Sequence, residues 1–353
     1  MTALKLGSLF DGIGVFPLAA VHCGMEPVWA SEIEAHPITI TRRHFPDMLH
    51  LGDITKISGA EVPPVDVITF GSPCQDLSQI GTRNGFAGKK SSLFYQAMRI
   101  IEEMRYATNG RYPAFCIWEN VAGAFSSNDR LDFAAMLRAF TGAEVSVPPR
   151  GWAHAGMVRG GRADTAWRLL DAQYWGEPAL VQRRTSVFVV ADFAGQRAGE
   201  VLFKPRTVFP FSSIGGPGGL SATQRGGVPV AQTGRQVPIV RPFSLRRMRT
   251  MAQVGDQKGF CASFGRGGEP FPTLLASVTA PFSFWYEGEE QDGFLRVLTP
   301  LECERLMGLP ENWTKYGCKD EEISDHARYR ALGNSIALPC AEYVMAGIAE
   351  VMN

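Results

Sequence analysis

The feature that most constrains this chain is a repeated change of hydrophobic period between Leu4 and about Phe193. Short β-branched or aromatic runs alternate with stretches whose apolar residues recur at helical spacing, and turn formers close the runs. Leu4–Phe10 runs as a strand into Asp11-Gly12-Ile13-Gly14, a helix is predicted from Val15 to Cys23, and Pro27–Ser31 reads as a second strand. Val65–Phe70 is a strand ended by Gly71-Ser72-Pro73. Ser92 to Met104 is helical, and Phe115–Trp118 and Ser186–Val190 are further buried strands. Alternation of this kind builds an α/β fold, a mostly parallel sheet with helices on both faces. Ligands of such sheets bind at the carboxyl ends of the strands, where the loops gather.

The texture changes over residues 196–270, which lose the periodicity and fill with glycine and proline. That segment holds eleven basic and three acidic residues, a surplus of eight, although the whole chain is neutral with 35 of each sign. A basic, irregular segment beside an acidic α/β domain predicts a separate surface for a polyanion, and a solvated loop is the plain alternative. Regular structure returns near Phe294, where Thr299 can cap a helix with Pro300 first and Glu302 three residues on. Tyr329 to Met352 carries Gly333-Asn334-Ser335 and then an apolar, helical end. No apolar run reaches the ~18 residues of a membrane span, and Met1–Phe10 does not read as a signal peptide. Seven cysteines without a Cys-x-x-Cys pair argue against disulfides or zinc and place the chain in a reducing cytoplasm. The histidines lack metal-ligand spacing, so no metal is expected.

Three strand ends carry the candidate chemistry. Phe10-Asp11-Gly12-Ile13-Gly14 lets backbone approach a ligand at a helix N-terminus, and it is too short for a dinucleotide fingerprint. Glu32, just past the second strand, can accept from ribose hydroxyls, and Asp53 from an exocyclic amine. Taken singly, either acid could equally be a surface residue. Gly71-Ser72-Pro73-Cys74-Gln75 places a cysteine directly after a buried strand, where a nucleophilic thiolate needs exposure. Gly81 to Ser91 follows with three glycines and three cations, as in a lid over phosphates. Glu119-Asn120-Val121 emerges after Phe115–Trp118 at the same sheet edge. A partly desolvated Glu119 can stay protonated there and donate to a ring nitrogen.

In this order the motifs resemble those of the DNA cytosine-5 methyltransferases of bacteria and phages, over nearly the whole chain. Gly71-Ser72-Pro73-Cys74-Gln75 is similar to the family's Pro-Cys-Gln motif and Glu119-Asn120-Val121 to its Glu-Asn-Val. Gln182-Arg183-Arg184 resembles the start of Gln-x-Arg-x-Arg, Arg296–Pro310 the late Arg-x-Leu-Thr segment, and Leu332-Gly333-Asn334-Ser335-Ile336 the closing Gly-Asn-Ser motif. The resemblance implies a Rossmann-like S-adenosylmethionine-dependent methyltransferase domain with a smaller irregular target-recognition domain. S-adenosyl-L-methionine would lie against Phe10, Gly12, Ile13 and Gly14, against Glu32 with Ile33 and Asp53 with Ile54, and under Asn334 and Ser335. Cys74, Glu119 and Arg184 would be catalytic, and Pro73, Gln75, Ser78 and Arg83 would touch the DNA. The implied substrate is cytosine flipped out of double-stranded DNA. A monomer with a possible cognate restriction endonuclease, in the cytoplasm and on the nucleoid, completes the expectation.

The resemblance divides the chain into a catalytic domain over 1–194, a target-recognition domain over 195–295, a hinge over 296–327 and a returning segment over 328–353. One departure stands out: where the family has its second arginine, this sequence has Ser186. In a strand Arg184 and Ser186 share a face while Arg183 points away, and Arg184 lies about 7 Å from position 186. Losing a placed donor can cost on the order of 10²-fold in rate. A catalytically impaired DNA-binding protein and an RNA cytosine-5 methyltransferase are therefore the alternative readings.

Overall fold

The computed structural model describes residues 3–72, 93–204, 239–242, 271, 273–274, 282–286 and 293–353. Eight strands form one sheet: β1 (Lys5–Leu9), β2 (Glu26–Ser31), β3 (Leu49–His50), β4 (Val67–Phe70), β5 (Phe115–Val121), β6 (Ala155–Arg159), β7 (Asp164–Asp171) and β8 (Thr185–Asp192). Their order is β3-β2-β1-β4-β5-β8-β7-β6. The first five are parallel, and β8, β7 and β6 are each antiparallel to the preceding neighbour. After β3 the chain crosses back to the other side of β1, so the ends of β1 and β4 flank a topological switch point, where crevices open in such sheets.

Alternate residues of the central strands enter two cores, as a period of two dictates. Val67, Phe115, Ile117, Phe188 and Val190 face one. It is covered by α1 (Val15–His22), α2 (Ala35–His44) and the C-terminal helices. Ile68, Phe70, Cys116, Trp118, Val187 and Val189 face the other, under α3 (Leu93–Ala107) and α4 (Leu131–Thr141). On that side Phe94 meets Trp118 edge-on at 6.4 Å and Phe140 at 5.9 Å, all three fully buried. Burying each such ring contributes about 1.5–3 kcal/mol, so the ends of β4 and β5 rest on a rigid aromatic bed.

The packing differs from the sequence expectation in three places. Glu119, Asn120 and Val121 are the last residues of β5, paired with Phe188, Val187 and Ser186, rather than a following loop. Their polarity hid a strand whose ladder the antiparallel β8 completes. Helix α5 (Ala198–Leu202) buries Ala198, Val201 and Leu202 fully, and the Ala198 N–H donates to Asp164 at 3.2 Å. The packing against β7 thus continues through α5, five helical residues too few to show a period. Among the described residues of the basic segment and its neighbours, β9 (Ile239–Pro242), β10 (Phe282–Tyr286) and β11 (Gly293–Val297) form a separate antiparallel sheet. Strand β11 spans the expected boundary at 295/296.

Three helices close the chain: α6 (Pro300–Leu306), α7 (Asp325–Asn334) and α8 (Leu338–Met352). Thr299 and Glu302 form the reciprocal capping box that their spacing predicts. No single helix among the described residues is long and apolar enough to cross a membrane; α7 and α8 pass that test only as a pair bent by 44°.

Candidate functional site

Along the carboxyl edge of the sheet, in the order β3-β2-β1-β4-β5, the strand ends present Asp53, Glu32, Asp11, Ser72 and Glu119. One half of this row is a set of acids around a tight loop. Phe10, Gly12 and Gly14 all take left-handed backbone, with φ of 54°, 58° and 77°. Helix α1 then starts at Gly14 without a side-chain cap, leaving its first N–H groups for other acceptors. A Cβ built on Gly12 or on Gly52 would meet nothing within 4 Å, so open space stands over the loop and beside Asp53. The Glu32 carboxylate is fixed by the N–H groups of Gly12 at 2.8 Å, Ile33 at 2.7 Å and Glu34 at 2.9 Å. The Ile33 side chain is left 70% exposed, unusual for an isoleucine beside so ordered an acid. Asp53 caps a short turn through the Thr55 N–H and hydroxyl, which hold its carboxyl below the usual carboxylate range. Ile54 turns into the core. Asp11, part of the expected loop but given no role of its own there, is buried with both carboxylate oxygens unpartnered.

The other half is built on β5. Trp118 and Asn120 share a face and both hold Ser72: the indole donates to Ser72 Oγ at 3.1 Å and the Asn120 amide to Ser72 O at 2.8 Å. This fixes the chain one residue before Pro73-Cys74. Glu119 points to the opposite face, where a Cβ on Gly71 would lie 3.4 Å from Glu119 Oε2. Burial pushes the Glu119 acid up, against the Ser186 hydroxyl and the Arg184 charge, which pull it down. Pro73, Cys74, Gln75, Ser78, Arg83 and the segment from Gly81 to Ser91 lie outside the described residues. Burial raises the thiols of Cys23 and Cys303 to about 12 and those of Cys116 and Cys340 further, which makes them poor nucleophiles. Cys318 is exposed and sits beside Thr39 of α2.

Arg184 and Ser186 share the Glu119 face, and both are buried. The Arg184 guanidinium donates to Leu274 O at 3.1 Å, to Gly333 O at 3.1 Å and to Ser335 O. Arg184 therefore joins three distant segments. Phe271 runs beside it, exchanging main-chain bonds with Val181 and Arg183 at 2.6 Å each. Through Arg184 the Gly333-Asn334-Ser335 turn is drawn to this edge, with Asn334 exposed and Ser335 buried, while Arg330 pairs with Glu34 at 3.0 Å.

A further support escaped the sequence reading. Trp313 donates its indole N–H to Ile13 O in the β1 loop at 2.8 Å. His44 stacks on Trp313 at 3.6 Å and 5°, and its Nε2 bonds Trp313 O at 2.8 Å. Burial lowers the His44 pKa, so the stacked ring stays neutral at physiological pH. An aromatic residue three positions after Leu309-Pro310 was the available signal, but nothing local says what it reaches.

The family model for C-5 cytosine-specific DNA methylases matches residues 4–200 and 242–350, which takes in both halves of the row. The chain belongs to the C-5 cytosine-specific DNA methylase family. Members of that family transfer a methyl group from S-adenosyl-L-methionine to carbon 5 of cytosine in DNA. The chain is similar to the type II methyltransferase M1.ScrFI of Lactococcus lactis subsp. cremoris, 26% identical over 99% of this chain and 78% of that one. It is also 24% identical to a protein of Escherichia phage P1 named DNA N-6-adenine-methyltransferase, over 98% of this chain and 61% of that one. The chain thus spans about three-fifths of the phage protein, whose printed name concerns a different methyl acceptor. A solved prophage DNA modification methyltransferase of E. coli shares the fold, with a TM-score of 0.58 and 18% identity over 99% of this chain and 100% of that one. The β1 edge fits this family's cofactor: open space over Gly12 and Gly52, an ordered Glu32, an exposed apolar Ile33 and an unpartnered acid are what a cationic nucleoside needs.

Proposed function

We propose that this chain methylates carbon 5 of a flipped-out cytosine in double-stranded DNA, with Cys74 as nucleophile and Glu119 as the acid beside it. The observation that carries the reading is the double anchorage of Ser72 by Trp118 and Asn120, which fixes the chain two residues before Cys74 in sequence, at the sheet edge where Gly71 meets Glu119. S-adenosylmethionine, when bound, supplies an electrophilic methyl group. Glu32, Ile33 and Asp53 would hold its nucleoside end, with Phe10, Gly12, Ile13, Gly14, Ile54, Asn334 and Ser335 around it. The Cys74 thiolate forms a bond to carbon 6 of the base. Electron density moves onto the ring, and Glu119, whose acid burial pushes up, donates to ring nitrogen 3. Carbon 5 would take the methyl group as its bond to the cofactor's sulfur breaks, leaving S-adenosylhomocysteine. The carbon 5 proton then leaves to a base, nitrogen 3 returns its proton to Glu119, and the Cys74–carbon 6 bond breaks to restore the ring and the thiolate.

Arg184 acts here as a positioning residue: among the described residues its donors hold main-chain carbonyls, and its charge bears on Glu119. Ser186 then leaves the base without the family's second arginine, which favours a slow enzyme over an inactive one because Glu119 and the Ser72 anchor are intact. Pro73, Gln75, Ser78 and Arg83 would contact the DNA, together with the basic segment. The catalytic unit takes in residues 1 to about 204 and 300–353, and the recognition unit lies between them. Action on DNA fits a cytoplasmic, nucleoid-associated monomer, with a restriction endonuclease as possible partner.

A duplex carrying 5-fluorocytosine at the target should be trapped covalently on Cys74 when S-adenosylmethionine is present, seen as a shifted band that Cys74→Ala abolishes. Folded protein that binds the cofactor yet forms no adduct across a randomised duplex library would overturn the reading. A second expectation concerns Trp313→Phe, which keeps the ring but removes the donor to Ile13 O. One lost hydrogen bond of ~0.5–1.5 kcal/mol predicts a 2- to 10-fold weaker cofactor by titration calorimetry, with DNA affinity unchanged.

A further inference from the structure

Asp11 is 8% exposed, and neither carboxylate oxygen has a hydrogen-bond partner. The polar groups that face it are the Ser8 hydroxyl of β1, near but without good hydrogen-bond geometry, and the Glu32 carboxylate after β2. Glu32 is already satisfied by three N–H groups, whereas Asp11 is not. A buried carboxylate left in this state is unfavourable, and neither the strand nor the turn requires an acid at this position. Its place gives it a use. Strand β1 lies between β2 and β4, so a ligand reaching from Glu32 towards Ser72 must cross the loop that holds Asp11.

We propose that Asp11 is a further cofactor residue, whose unpartnered carboxylate answers the positive charge that S-adenosylmethionine brings to the end of β1. This rests on the functional reading above. Burial first, and then Glu32, push the free acid up to about 7, with Ser8 easing the rise, so near neutrality Asp11 holds a proton part of the time. A unit positive charge ~6 Å away, at an effective dielectric near 20, weakens proton binding on the order of 100-fold. Cofactor binding therefore expels the Asp11 proton to the buffer, and the carboxylate left behind retains the cation. The cofactor has two cationic groups, the sulfonium and the ammonium of its methionine end, and S-adenosylhomocysteine keeps only the second.

The test is titration calorimetry of the full chain with S-adenosylmethionine between pH 6.5 and 8.5, in buffers of different ionisation enthalpy, for the wild type and Asp11→Asn. Relative to Asp11→Asn, which carries the cofactor's own amine titration alone, the wild type should release about half a proton more per cofactor at pH 7 and gain about fourfold in affinity between pH 6.5 and pH 8.5. Asp11→Asn should show only the proton exchange and slope of the cofactor's own α-amino group, which titrates at about 7.7–8.0, while melting at least as high as the wild type at pH 8. If it fails to fold, Asp11→Ser carries the same expectation. The extra proton release with S-adenosylhomocysteine as well assigns the ammonium, and extra release with S-adenosylmethionine alone assigns the sulfonium. Wild-type binding without the extra proton release, or an unchanged slope in Asp11→Asn, overturns the proposal and leaves the functional reading standing. Failure of the wild type to bind S-adenosylmethionine at all would overturn both.

Discussion

Replacing Glu119 by glutamine should lower methylation by about 10²- to 10⁴-fold, the contribution expected of a placed general acid. Glutamine keeps the shape and the contact with Gly71 but has no proton to give at acidic strength. The loss should fall on turnover, with cofactor affinity unchanged, because the nucleoside-facing acids lie beyond β1 and β4 in the sheet. The direction of the Glu119 shift adds a pH signature. Burial raises the acid, so the protonated, donating form persists above the ordinary carboxylate range and wild-type turnover falls as pH rises past the raised value. The same shift lowers wild-type stability as pH rises from the ordinary carboxylate range towards that value, since the folded chain there holds a proton that the unfolded chain has lost. Methylation assays across pH, with thermal melts beside them, read both. An equal rate in Glu119→Gln would remove Glu119 from the reaction.

Glu304→Ala should cost the fold about 3–5 kcal/mol, the usual consequence of stranding one member of a buried ion pair. Glu304 is fully buried and accepts from the Asn312 N–H at 2.7 Å, the Thr314 N–H at 2.9 Å and Arg328 at 3.0 Å. Alanine leaves all three donors and the buried Arg328 charge without that carboxylate. A fall in melting temperature on the order of 10 °C is expected. Replacing Glu304 and Arg328 together by methionine should recover most of it, because two apolar side chains leave no stranded charge. A single substitution within 1 kcal/mol of wild type in denaturant titration (~1 kcal/mol being an ordinary surface effect) would contradict this account. The residues that Glu304 pins flank Trp313, so the same variant should also weaken cofactor binding.

The parallel half of the sheet was legible because its strands are short β-branched runs closed by glycine and proline, and each closing turn lies where a ligand would sit. Glu119 and Glu32 were found for that reason. The length of β5 was not legible, since Glu-Asn-Val has the polarity of a loop and only pairing with β8 makes it strand. Helix α5 was too short to carry a period. The carbonyl partners of Arg184 at Leu274, Gly333 and Ser335 were not legible, because a motif describes spacing and these partners are distant in sequence. Asp11 was hidden among glycines for a different reason. What distinguishes it is a missing partner, and no local pattern records that.

The bond from Trp313 to Ile13 joins residues 300 positions apart. Its consequence is one of timing. Domains fold largely as the chain leaves the ribosome, N-terminal parts before C-terminal ones. The brace of the β1 loop arrives only after a further 300 residues have been made, and the Arg184-bound turn at Gly333–Ser335 later still. A partly synthesised chain thus carries the acids of the cofactor edge without the clamp that shapes it. A modification enzyme made this way becomes competent only after Trp313 and the Gly333–Ser335 turn have emerged.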